Sequence, residues 1–134
     1  MKKILFLCTA NSCRSQMAEG IAKKIFGNKY EIYSAGSNPA KVDPQAIKVL
    51  KEIEVDISKH YSKHLNEFLD KEIDLVITVC DNAKESCPFF PGAKKVIHKG
   101  FQDPPALGLG IEGYRKVRDE IYHFVKTLPE LLKK

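Results

Sequence analysis

The sequence lacks any run of about eighteen consecutive apolar residues, the minimum for a membrane-spanning helix. Two lysines and the brief apolar run Ile4–Leu7 open the chain, a pattern too short for a signal peptide. The chain also lacks a C-x-x-C pair, and its four histidines are scattered, so we predict no zinc or other metal site. These absences predict a cytoplasmic protein that neither enters a membrane nor binds a metal.

Length and charge indicate the domain organisation and the class of ligand. The 134 residues suffice for a sizeable core, and we expect a monomer with a single domain over residues 1–134. The net charge of +5 is spread along the chain without a basic stripe interleaved with aromatic residues, which argues against nucleic-acid binding. Such a field favours an anionic small substrate, although a solvated surface explains most of the lysines equally well.

Strand-like and helix-like patterns alternate along the chain. Apolar or alternating runs predict strands over residues 3–7, 30–35, 74–79 and 94–98, the last of them short and at a sheet edge. Helical spacing predicts helices over residues 15–26, from Asp43-Pro44 onward, over residues 62–71, and from Gly113, with Pro129 kinking or shortening the last. This alternation predicts an α/β fold, a four-stranded parallel sheet with helices on both faces and right-handed crossovers.

The segment from Cys8 to Ser15 joins the first strand to the first helix. Its small residues allow the backbone to curl with its N–H groups turned inward, and such a nest at a helix N-terminus binds anions. Arg14 would add a bidentate fork for a tetrahedral oxyanion, and the same positive field would stabilise a thiolate at Cys8. Ser15 could donate a hydrogen bond to that thiolate, or cap the helix. The predicted substrate-binding residues are Cys8, Thr9, Ala10, Asn11, Ser12, Cys13, Arg14 and Ser15.

Two features that follow later strands should meet this loop, because ligands bind beyond the carboxyl ends of parallel strands. Asp103, stiffened by the two prolines after it, is the candidate acid that protonates a leaving oxygen; an ordinary turn aspartate is the alternative. If the bound anion can be reduced, Cys80 and Cys87 provide a second thiol to attack the Cys8 adduct and a third to resolve the disulfide. Two inert thiols are the alternative, and Cys13 is assigned no chemical step.

The segment from Cys8 to Glu19 resembles the corresponding motif of the thioredoxin-coupled arsenate reductases, which share the fold of the low-molecular-weight protein tyrosine phosphatases. The resemblance covers essentially the whole chain. It includes the motifs Tyr33-Ser34-Ala35-Gly36, Thr78-Val79-Cys80, Cys87-Pro88 and Asp103-Pro104. The anion loop alone fits either family, but the pair of cysteines on the later segment resembles the reductase branch.

The resemblance implies reduction of arsenate to arsenite, for arsenic detoxification, by three cysteines. Cys8 attacks arsenate held by Arg14 and the loop amides, while Asp103 protonates the departing oxygen. Cys80 then attacks Cys8 and arsenite leaves. Cys87 attacks Cys80, and reduced thioredoxin opens the Cys80–Cys87 disulfide. Thioredoxin is thus the implied partner and electron donor, no bound cofactor is implied, and phosphate and sulfate are the expected competitors of arsenate.

Some members of this family bind a potassium ion beside the loop. Asn11, Glu19 and Ser34 match that pattern, whereas Tyr61 and Lys63 stand where further oxygen ligands are expected. A lysine ammonium repels a cation and has no lone pair to offer it. We therefore predict no potassium dependence, with Lys63 either supplying positive charge to Glu19 directly or simply solvated.

Two other functions stay open at this point. One is a phosphatase that acts on phosphotyrosine or a small phosphoester through a phosphocysteine at Cys8, either as the main activity or as a weak side reaction. The other is a non-enzymatic module that binds oxyanions or senses redox state through Cys80 and Cys87.

Overall fold

The computed structural model describes residues 1–81 and 90–133. Within them a parallel sheet is formed by β1 (Lys2–Cys8), β2 (Tyr30–Gly36), β3 (Leu75–Thr78) and β4 (Val96–His98) in the order β2-β1-β3-β4. The helices are α1 (Arg14–Phe26), α2 (Pro44–Lys51), α3 (Ile111–Val125) and α4 (Leu128–Lys133), and 3-10 helices lie at Leu65–Phe68 and Pro104–Leu107. The predicted α/β fold with a four-stranded parallel sheet is confirmed, and β4 is the short edge strand.

The central strand β1 buries both of its faces. Ile4 and Phe6 face the helices α1, α2 and α3, whereas Leu5 and Leu7 face the opposite side, where Phe68 of the first 3-10 helix packs. None of the four β1 side chains is exposed to solvent. A nearly continuous apolar run is typical of a parallel strand covered on both faces. The sheet therefore forms a rigid base for the loop that follows the carboxyl end of β1.

The ends of two helices follow the sequence prediction. Asp43 begins α2 as its N-cap, because its side chain accepts a hydrogen bond from the N–H of Gln45 at 2.9 Å, and Pro44 occupies the first turn. The last helical pattern is split, since α3 ends at Val125 and Pro129 lies in the first turn of α4. Among the described residues, no helix has the length and apolar character needed to cross a membrane.

The helix predicted over residues 62–71 is wrong; only Leu65–Phe68 is helical there, as a single 3-10 turn. The N–H of Lys63 donates to the side chain of Asn11 at 2.9 Å, and the carbonyl of Lys63 accepts the N–H of Gly36 at 2.9 Å. These bonds hold the chain extended beside β2, so long-range hydrogen bonds override the local helical spacing. Leu69, which an amphipathic helix over residues 62–71 would bury, is 44% exposed.

Candidate active site

The loop between β1 and α1, residues 9–13, has the carbonyl groups of its first four residues turned outward. The carbonyl oxygens of residues 9–12 accept hydrogen bonds at 2.8–3.1 Å, from the N–H groups of Asn38, Ala40 and Asp43 and the side chains of Gln16 and Ser62. Because a trans peptide group directs its N–H opposite to its C=O, the N–H groups of residues 10–13 point toward the interior of the loop. With the N-terminus of α1 beside them, these amides form a concave cluster of donors, a geometry suited to an anion.

Two residues allow this loop to close. Asn11 has a φ of +50°, in the left-handed region that asparagine adopts more readily than most residues. Gly36, paired with Cys8 across β1 and β2, lies so close that a Cβ there would be 2.4 Å from the carbonyl oxygen of Thr9. The loop therefore depends on a residue of β2 that has no side chain.

A cavity of about 230 Å³ opens above the loop, and its walls include Cys8, Arg14 and Asp103. Cys8 is 3% exposed and lies at the end of β1. Nη1 of Arg14 donates to the carbonyl of Phe101 at 3.1 Å, and Nη2 lies 4.0 Å from Oδ1 of Asp103. The guanidinium therefore holds the loop after β4 against the cavity. The structure thus brings the sulfur, the guanidinium and the carboxyl group together in one site.

Asn11 also links the loop to a buried polar network. Its Nδ2 donates to Oγ of Ser15 at 2.8 Å and to Oγ of Ser34 at 2.9 Å, and Ser34 in turn donates to the buried carboxylate of Glu19. The N-cap of α1 is Cys13, so the alternative role of Ser15 as the helix cap is wrong. Since Oγ of Ser15 accepts from Asn11, its own hydrogen is left to be donated elsewhere.

Two lysines surround the carboxylate of Glu19. Nζ of Lys23 donates to Oε2 at 2.6 Å, and Nζ of Lys63 lies 3.7 Å from Oε1 and donates to the carbonyl of Tyr61 at 2.9 Å. Burial alone would raise the pKa of Glu19, but the hydrogen bonds from Lys23 and Ser34 and the charge of Lys63 lower it overall. Lys63 is 8% exposed, so it contacts Glu19 rather than solvent. Across residues 1–81 and 90–133, no group of three or more His, Cys, Asp or Glu side chains could hold a metal ion.

Cys13 lies in the same loop as Cys8 but in a different electrostatic setting. Burial raises the pKa of its thiol well above the usual value, the negative charges of Asp43 and Asp103 raise it further, and Arg14 only partly opposes them. Because the thiolate rather than the thiol is the nucleophile, such a cysteine is unreactive at neutral pH. This setting supports assigning Cys13 no chemical step.

Sequence reasoning missed two residues of the site. Asp43 lines the cavity, and its Oδ2 accepts the hydroxyl hydrogen of Tyr114 at 2.6 Å. Burial and this hydrogen bond raise the pKa of Tyr114, which is 7% exposed. In the sequence, Asp43 has the pattern of a helix cap and Tyr114 that of a buried helix face, so neither indicates that they meet.

Cys80 lies beside Cys8 at the same edge of the sheet. It is fully buried and disulfide-bonded, whereas Cys8 and Cys13 form no disulfide. The N–H of Val79 donates to the carbonyl of Leu7 at 2.8 Å, which continues the pairing of β1 with β3. Cys80 directly follows this pairing, so it lies at the carboxyl end of the strand next to the one that ends at Cys8. The other predicted redox cysteine, Cys87, lies outside the described residues.

The match to a family model settles the family. The model of the low molecular weight phosphotyrosine protein phosphatases matches residues 3–134. The chain belongs to this family. The arsenate reductase of Halalkalibacterium halodurans is 47% identical to it over 133 residues, which cover 96% of each chain. The resemblance to arsenate reductases that the sequence motifs indicated is therefore confirmed.

Solved structures of family members superpose on this chain. An arsenate reductase in the phosphate-binding state matches with a TM-score of 0.86 and 33% identity, over 98% of this chain and 99% of that one. The thioredoxin-dependent arsenate reductase of Corynebacterium glutamicum matches with a TM-score of 0.76 and 28% identity, over 99% of this chain and 62% of that one. The fold is thus that of a family in which arsenate reductases occur.

Proposed function

We propose that this protein is an arsenate reductase that reduces arsenate to arsenite through Cys8, Cys80 and Cys87, with thioredoxin as the electron donor. One observation carries the proposal: a buried second cysteine, Cys80, lies beside Cys8, which itself lines an anion cavity. A phosphatase of the same fold needs the cavity and Cys8 but has no use for Cys80. The 47% identity to an arsenate reductase supports the choice of arsenate as substrate.

The first step uses the donors of the anion loop. The N–H groups of residues 10–13 and the guanidinium of Arg14 bind the oxygens of arsenate and hold the arsenic atom against the sulfur of Cys8. The hydroxyl of Ser15, whose oxygen accepts from Asn11, donates to the Cys8 thiolate before attack. The thiolate attacks arsenic, and an oxygen leaves as water after Asp103 gives it a proton.

The next two steps move the electrons. The Cys80 thiolate attacks the sulfur of Cys8, so an S–S bond forms, and the electron pair of the broken S–As bond stays on arsenic. Arsenic is thereby reduced from As(V) to As(III) and leaves as arsenite. Cys87 then attacks Cys80, which releases Cys8 as a thiolate and leaves a Cys80–Cys87 disulfide. The disulfide-bonded state of Cys80 agrees with this product of the cycle.

Reduced thioredoxin completes the cycle by donating two electrons to that disulfide. Support comes from the thioredoxin-dependent arsenate reductase of Corynebacterium glutamicum, which shares this fold over 99% of the chain. Such a cycle requires a compartment that keeps thiols reduced, in keeping with the cytoplasmic location expected from the sequence.

A phosphatase is the second candidate, because the matching family model is that of phosphotyrosine protein phosphatases. Cys8 would attack phosphorus, Asp103 would protonate the leaving alcohol, and water would hydrolyse the phosphocysteine. Neither Cys80 nor Cys87 takes part in these steps.

Arsenate-dependent NADPH consumption in the presence of thioredoxin and thioredoxin reductase tests the proposal. Hydrolysis of p-nitrophenyl phosphate by the same sample provides the internal control. We expect Cys8→Ser to abolish both activities. Cys80→Ser and Cys87→Ser should stop multiple-turnover reduction and spare any phosphatase activity. Reduction by Cys87→Ser at the parent rate would exclude the three-cysteine relay, and hydrolysis without arsenate-dependent turnover would establish the phosphatase.

A further inference from the structure

The anion cavity contains a carboxylate that the proposed reaction does not use. Asp43 lines this cavity with Cys8 and Arg14, and its N–H donates to the carbonyl of Ser12 at 2.9 Å. A negative charge beside an oxyanion site repels bound anions. An anion without an O–H group cannot offset that repulsion, because it cannot donate a hydrogen bond to the carboxylate. An uncharged serine or asparagine would cap α2 equally well, so capping alone does not require a carboxylate here.

Two hydrogen bonds fix the direction of this carboxylate. Oδ1 of Asp43 accepts from the N–H of Gln45 at 2.9 Å, and Oδ2 accepts from the hydroxyl of Tyr114 at 2.6 Å. A carboxylate has about four lone-pair positions, so each oxygen can accept one further hydrogen bond. Asp43 therefore presents acceptors, but no donor, to an anion in the cavity. Tyr114 acts as a positioning residue because its hydroxyl holds Oδ2.

Tetrahedral oxyanions differ in whether they can donate to such a group. Arsenate and phosphate still carry at least one O–H at neutral pH, whereas sulfate carries none. The amides of the loop and Arg14 can donate to the unprotonated oxygens of the anion. The protonated oxygen can then face Asp43 and donate a hydrogen bond to its carboxylate. A sulfate oxygen in that position would face the Asp43 carboxylate with no hydrogen between them, so the two negative groups would repel each other.

We propose that Asp43, oriented by Tyr114, selects oxyanions that carry an O–H and so makes the Cys8 site prefer arsenate and phosphate to sulfate. This inference rests on the proposed function of the loop as an oxyanion site. A hydrogen bond to a charged group changes affinity by about ten- to a hundredfold. Phosphate should therefore bind the parent protein at least about tenfold more tightly than sulfate.

Calorimetric titration of the reduced protein with inorganic phosphate and with sulfate, at neutral pH and matched ionic strength, measures this preference. Asp43→Asn removes the charge and keeps a good helix cap. We expect its sulfate affinity to rise at least about tenfold and its phosphate affinity to change less. Tyr114→Phe breaks the same Asp43–Tyr114 bond but keeps the charge. Because Asp43 then loses one of the two hydrogen bonds that orient it, the preference for phosphate should fall, but by less than in Asp43→Asn.

Each result has one meaning. An unchanged preference in Asp43→Asn, or an equal loss in Tyr114→Phe, overturns the assignment to the Asp43 charge. A parent protein that binds both anions equally overturns the selectivity alone, and the arsenate reductase proposal stands. A parent protein that binds neither anion overturns the oxyanion site itself, and with it the proposed function. If Asp43→Asn does not fold, Asp43→Ser, another uncharged cap, replaces it in the same titrations.

Discussion

Replacing Gly36 by alanine tests whether the anion loop depends on its close contact with β2. A Cβ at this position would lie 2.4 Å from the carbonyl oxygen of Thr9, 2.9 Å from the nitrogen of Asn11 and 3.0 Å from the carbonyl oxygen of Cys8. All three are backbone atoms of the loop, so no flexible side chain can move aside. The φ of Gly36 is not positive, so alanine adds no backbone strain of its own.

The magnitude follows from the overlap. Ordinary contact of a Cβ begins at 3.4 Å, so the carbonyl of Thr9 must retreat by about 1 Å from its 2.4 Å position. Overpacking of this kind costs about 1–3 kcal/mol of stability. A displacement of about 1 Å in a positioned group can cost about a hundredfold in rate. Since the amides of the loop and Cys8 would shift together, we expect kcat/KM for arsenate to fall by about ten- to a hundredfold.

The assays are kcat/KM for arsenate with thioredoxin, the affinity for phosphate by calorimetry, and urea unfolding. Gly92→Ala is the matched control, because a Cβ there meets a ring carbon of Phe90 at 3.2 Å and no backbone of the loop. We expect this control to keep the parent kcat/KM. Parent values of kcat/KM and phosphate affinity in Gly36→Ala would refute the reasoning that backbone packing shapes the anion nest. A loss of stability alone would refute it as well.

The remaining predictions concern the second thiol of the loop and the charge beside it. Because burial raises the pKa of Cys13, iodoacetamide at neutral pH should alkylate Cys8 and spare Cys13, as read by peptide mass spectrometry; equal labelling of both would contradict this. Cys13→Ser should retain reduction within about threefold of the parent rate. Because Lys63 already places an ammonium 3.7 Å from Glu19, potassium and sodium chloride at equal ionic strength should give the same activity. A several-fold rise with potassium alone would show that a bound ion is needed there.

Sequence reasoning succeeded where one continuous segment contains all the information. This holds for the loop between β1 and α1, whose position follows from a strand that ends at Cys8 and a helix that begins at Arg14. Sequence reasoning failed over residues 62–71, where helical spacing indicated a helix. The N–H of Lys63 donates to Asn11 and its carbonyl accepts from Gly36, which holds that segment extended, and no pattern within the segment reveals partners so distant in the sequence.

The cavity also combines groups from one local segment with groups that are distant in the sequence. Its hydrogen-bond donors come from a single segment, residues 8–15, so they can be predicted from the sequence. Its carboxyl groups, Asp43 and Asp103, come from loops that precede α2 and follow β4, and only the parallel sheet brings them to the same edge. The donors suit any tetrahedral oxyanion, since amides and a guanidinium do not distinguish one such anion from another. Under the proposed selectivity, discrimination comes from Asp43, so a fold that keeps one anion loop can change its preferred anion through a residue far from that loop in the chain.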